Sequence, residues 1–103
     1  MKIKKAKNHL QPWSLQESIQ FINLYLDGVK NRDVNVVCDN IAAAFDRTFD
    51  AIKLRKQEVL SILSNAEQGL KKDKWTAHMQ QAIETVAKDR AISKAKMLYW
   101  FEN

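Results

Sequence analysis

Apolar residues recur along this chain at spacings of three and four, the signature of one buried face of an α-helix. The first stripe is Leu15, Ile19, Ile22 and Leu26, widened by Phe21 and Tyr25. It predicts a helix over residues 15–27, opened by the capping box Ser14-Leu15-Gln16-Glu17 and stopped at Gly28. In such a box the Ser14 hydroxyl accepts from the Glu17 amide while the Glu17 carboxylate reaches back, which is worth about 1 kcal/mol. Residues 29–33 read as a connection, with Asp33 or Asn35 as the next cap. A second helix then turns Val37, Ile41, Ala44 and Phe45 inward, and the small residues Ala42, Ala43 and Ala44 allow another helix to approach closely. A tight turn at Asp46-Arg47 follows. Thr48 is the expected cap of a third helix, whose first turn holds Asp50 at the positive end of the helix dipole. With Ile52, Val59 and Leu63 inward, the outward side of that helix carries Asp50, Lys53, Leu54, Gln57 and Ser61.

The pattern weakens beyond Ser64, with Gly69 as a break and Asp73 as a cap. A fourth helix is predicted from about Lys74, with Met79, Ala82, Ile83 and Val86 on one face. Near Lys88-Asp89-Arg90 the stripe shifts, so either a new helix begins or the same one turns its face. Ile92, Ala95, Leu98 and Tyr99 form the last apolar set before Trp100-Phe101. Trp13-Ser14 and Trp75-Thr76 open comparable segments, but nothing after Trp75 repeats the Arg47-Thr48 pair. The expected organisation is a basic flexible arm over residues 1–12, a three-helix unit over 13–66 and a C-terminal extension over 70–103. That extension supplies one or two additional helices, which brace the unit, form a homodimer seam or hold a partner site.

Composition supports an all-α chain. Apolar residues make up 46% of the 103 positions, enough for a core, while two Gly and one Pro are too few for the many turns of a strand-rich fold. The net charge is +5, and Lys2, Lys4, Lys5 and Lys7 contribute four of those five units. A basic arm of this kind suits a polyanion such as nucleic acid. The lone Cys38 sits among Val36, Val37 and Ile41, which favours a packed thiol in a reducing, cytoplasmic setting, or at the nucleoid or in the nucleus if the protein is DNA-bound. There is no run of about 18 apolar residues to span a bilayer and no signal-peptide pattern, so no membrane partner is expected.

Catalytic chemistry finds no support. His9 and His78 have no second ligand at metal spacing, and no Gly-rich phosphate loop is present, so neither metal nor cofactor is expected. Asp46, Asp50 and Glu58 are close in sequence, but caps and surface pairs account for them. Cys38 lacks a base and accessible surroundings. The chain does not read as an enzyme.

Trp13-Ser14, Glu17, Gly28, Ile41-Ala42, Phe45, Arg47-Thr48, Ala51-Ile52 and Arg55 occur in the order and at the spacing of the Myb/SANT-like domain, which residues 13–63 resemble. The resemblance implies a three-helix helix-turn-helix fold whose third helix enters the DNA major groove, with a structural ion pair between Glu17 and Arg55. Asp50 and Leu54 depart from it where DNA-binding members often carry asparagine, and Lys56 where an aromatic is common. The expected function is that of a double-stranded-DNA-binding regulator or accessory protein. Lys2, Lys4, Lys5, Lys7 and Arg47 would supply charge to the backbone, while Lys53 and Gln57 read bases. The alternative is a protein-binding adaptor or inhibitor, of the sort found among mobile-element and phage accessory proteins, gripping its partner through Leu54, Leu60 and Trp100.

Overall fold

The computed structural model describes residues 12–65 and 74–102, and within them the chain is all-α, with five helices and no strand. They are α1 (Leu15–Val29), α2 (Val34–Phe45), α3 (Phe49–Ser64), α4 (Ala77–Arg90) and α5 (Lys94–Glu102). The expected arm, Gly69 and Asp73 lie outside the described residues.

Each start is set by a short polar side chain that accepts an otherwise orphaned amide. Ser14 Oγ takes the Glu17 amide at 3.0 Å, Asp33 takes that of Asn35 at 3.0 Å and Thr48 takes that of Ala51 at 3.1 Å. Thr76, rather than a residue near 73, caps α4 by accepting from Met79 at 3.2 Å, and Ser93 caps α5 by accepting from Lys96 at 3.0 Å. The capping box of α1 is only half formed, because the Glu17 carboxylate is drawn to Arg47.

The shift of pattern after Arg90 is a true helix end. Ala91 closes α4 in the left-handed conformation at φ 53°, as Asp46 closes α2 at φ 52°. The two connections match bond for bond: the Arg47 amide donates to the Ala42 carbonyl at 2.9 Å, and the Ile92 amide to that of Ala87 at 3.0 Å. In both, one residue then leads to a hydroxyl cap, Thr48 or Ser93. A copy of the Asp46-Arg47-Thr48 turn does follow Trp75, but as backbone geometry with Ala91-Ile92-Ser93, which residue identity conceals.

One core joins all five helices. Phe21, Ile22, Tyr25 and Leu26 of α1 meet Val37, Cys38 and Ile41 of α2, Ile52 and Val59 of α3, Met79, Ala82, Ile83 and Val86 of α4, and Met97 and Phe101 of α5. Helix α1 packs on α2, α4 and α5, and α3 on the same three. Phe101 stacks on Tyr25 at a centroid distance of 4.2 Å and meets Phe21 edge-on at 6.3 Å. The inward face of α5 is therefore Met97 and Phe101, whereas Tyr99 and Ala95, expected inward, are exposed. Ala44 is likewise exposed, with Cys38 and Ala42 buried in its stead.

Gly28 does not stop α1, which continues to Val29. A Cβ placed on it would lie 2.9 Å from both Cγ atoms of Val37, so glycine is required there by the close approach of α1 and α2.

Candidate nucleic-acid interface

Helix α3 is held along its length by ion pairs and hydrogen bonds that determine which of its side chains remain available. At its entrance Arg47 forms a bidentate pair with Glu17, with Nε–Oε2 at 2.5 Å and Nη2–Oε1 at 2.7 Å. Its guanidinium also donates to the Pro12 carbonyl at 3.2 Å and lies 4.5 Å from the Trp13 ring centroid. Trp13 in turn packs edge-on against Phe21 and Phe45 at 5.7 and 5.8 Å. Arg47, expected among the phosphate contacts, is only 7% exposed and is committed to binding α1 to the α2–α3 connection. The partner of Glu17 is thus Arg47, not Arg55.

Arg55 instead pairs with Glu58 at 2.5 Å, one turn along α3. Glu58, expected at the surface, is fully buried. Its second oxygen accepts from the Thr76 amide at 2.7 Å and the Thr76 hydroxyl at 3.0 Å, so a carboxylate of α3 neutralises the positive end of α4. Ser61, expected on the outward face, is also buried and accepts from the Trp75 indole at 2.9 Å. Burial of Glu58 and Ser61 needs the approach of residues 75 and 76, which no local spacing announces. A helical wheel alone therefore does not place Glu58 and Ser61 on the inner side of α3.

What α3 leaves outward is Asp50, Lys53, Leu54 and Gln57, all exposed. Lys53 Nζ lies 5.5 Å from the Phe49 ring centroid, which holds the side chain near the N-terminal half of the helix. Leu54 is 44% exposed. It lines an open groove of about 670 Å³ between α3 and the start of α4, together with Trp13, Ala51, Ala77 and His78. His78 Nδ1 is 3.2 Å from the Trp13 carbonyl, a contact between the start of α4 and the segment before α1. Leu60 and Trp100 are half-buried against the core, so of the three residues expected to grip a partner Leu54 is the most accessible. Lys2, Lys4, Lys5 and Lys7 lie outside the described residues, as does His9.

Cys38 is buried, and burial pushes its thiol above the ordinary value of 9.0, against the opposing pull of Lys56 and Lys53. A protonated, enclosed thiol is a poor nucleophile. Lys56 itself is half-buried at the core edge. No group of three or more metal-ligating side chains occurs among the described residues, and none of their helices is long and apolar enough to cross a membrane. Comparison with protein-family models, with curated proteins and with solved structures finds no match to this chain.

Proposed function

We propose that the chain is a DNA-binding regulator or accessory protein in which the first three helices act as a Myb/SANT-like helix-turn-helix unit. Helix α3 enters the major groove, and Lys2, Lys4, Lys5 and Lys7 follow the phosphate backbone. The reading rests on the outward face of α3, where Lys53 and Gln57 stand one turn apart on a helix whose inner side is tied to Trp75 and Thr76. Lysine donates to the acceptor edge of guanine, and the glutamine amide matches the donor–acceptor edge of adenine. Leu54 between them offers an apolar surface to a thymine methyl. Asp50 repels phosphate and confines the approach to the middle of the helix.

The test is the affinity of the full chain for a random-sequence duplex as a function of salt. A log-log slope of several units is expected, falling by about 0.9 for each arm lysine changed to glutamine. Lys53→Ala is expected to erode preference among duplexes and leave most of that slope in place. Equal effects of both changes on every duplex would refute the division of labour, and no binding at low salt would refute the function.

A second reading has one observation of its own, the exposed Leu54 at the mouth of the groove beside α4. An apolar side chain so placed suits a protein partner, and the chain would then serve as an adaptor or inhibitor. Duplex binding absent at low salt, with Leu54→Ala leaving the fold intact, is the pattern expected of that alternative.

A further inference from the structure

The outward face of α5 differs in chemistry from that of α3. Because the two connections are copies, Leu54 and Tyr99 stand at the same register, each six residues beyond its capping hydroxyl. Where α3 presents aliphatic and hydrogen-bonding groups, α5 presents an aromatic ring. Tyr99 is 55% exposed, the most open of the large hydrophobic side chains among the described residues. It meets Trp100 edge-on at 5.2 Å, and Lys30, from the end of α1, sets its ammonium 6.0 Å from the Trp100 ring centroid. Lys96 is exposed one turn before Tyr99 and Trp100. Lys94 is drawn away to Glu84, and Glu102 bounds the face at its far end.

From this cluster we infer that α5 carries a second nucleic-acid contact, directed at single strands. An exposed ring that meets a second aromatic, with Lys96 one turn before it and Lys30 set against that second aromatic, can stack on an unpaired base while the ammonium groups neutralise neighbouring phosphates of the strand. A duplex keeps its bases stacked and offers this ring nothing comparable, which separates the site from the α3 face. An acidic peptide would satisfy the two lysines but not the sequence-tolerant stacking surface.

The experiment measures binding of the full chain to a labelled oligo(dT) strand and to a duplex at low and moderate salt. Tyr99→Ala is expected to weaken oligo(dT) binding about ten-fold, with Tyr99→Phe staying close to wild type because the ring is kept. Lys30→Gln with Lys96→Gln is expected to reduce the salt slope for the single strand. Duplex affinity is expected to be unchanged by Tyr99→Ala, so loss of duplex binding by the wild type would count against the α3 reading alone. The inference is overturned if the wild type does not bind oligo(dT), if Tyr99→Ala binds it as well as wild type through the lysine arm, or if Tyr99→Phe fails as Tyr99→Ala does.

Discussion

Tyr25 stands apart from the other large core side chains. Its ring is wholly buried and stacked on Phe101, yet its hydroxyl is enclosed without a hydrogen-bond partner among the described residues. An unpaired buried hydroxyl costs more than a paired one returns, so Tyr25→Phe is expected to leave stability unchanged or raise it by about 1 kcal/mol, as read by urea denaturation. Burial, with the neighbouring Cys38 adding to it, pushes the Tyr25 phenol well above its ordinary value of 10.0, and burial raises the Cys38 thiol above 9.0. Both groups are neutral when protonated, so the folded chain keeps these protons to a higher pH than the unfolded chain does. The resulting stabilisation is whole below about pH 9 and is lost as pH rises through the folded values. Denaturation midpoints measured from pH 8 to 11 should fall, and the fall should be shallower in Tyr25→Phe. A fall of equal steepness in the variant would show that Tyr25 is not its source. None of this was legible at the residue scale in sequence, where Tyr25 only widened a stripe.

Between elements, the closest constraint is the approach of α1 to α2 at Gly28. Glycine in a helix ordinarily gives way to alanine with a gain of about 1 kcal/mol. Here the added methyl would meet both Cγ atoms of Val37 at 2.9 Å, and valine is branched at Cβ with no flexible end to yield. Gly28→Ala is therefore expected to destabilise by about 1–3 kcal/mol. Val37→Ala alone should also destabilise, since it opens a cavity. The double variant should lose clearly less than the two single losses together, because each change relieves the other. Additive losses in thermal or urea denaturation would mean that Gly28 acts through its backbone alone. The starts of α1, α2 and α3 were readable because Ser14, Asp33 and Thr48 act on amides two or three residues away. The start of α4 was less so, since part of its capping comes from Glu58 on another helix.

For the whole molecule, the core has no seam between the first three helices and the last two. Phe21 and Tyr25 are covered by Phe101, and Met79, Ile83 and Val86 share one cluster with Ile22 and Leu26. Arg90 further ties α4 to α1, donating to Asn23 Oδ1 at 2.7 Å and to Asp27 at 2.9 Å. A fragment ending at residue 65 would expose this surface, so it is expected to lack a cooperative thermal transition while the full chain melts in one step by circular dichroism. A fragment that melts as sharply as the full chain would show that three helices suffice.

Helical class, the apolar stripes of α1, α3 and α4 and the hydroxyl caps of α1 and α3 were determined by the sequence itself, because they arise from interactions within a single turn or from the 3.6-residue period. Four of the five outward positions expected on α3 followed too, Asp50, Lys53, Leu54 and Gln57. Tertiary structure decided the rest, because those features depend on groups far apart along the chain. It gave Glu17 to Arg47 in place of Arg55, sank Glu58 and Ser61 beneath Thr76 and Trp75, and turned Met97 inward so that Tyr99 faced out. A charge or an aromatic ring has no intrinsic side of a helix to occupy. Its place is settled by whichever neighbour can satisfy or cover it, and that neighbour is known only once the chain has folded.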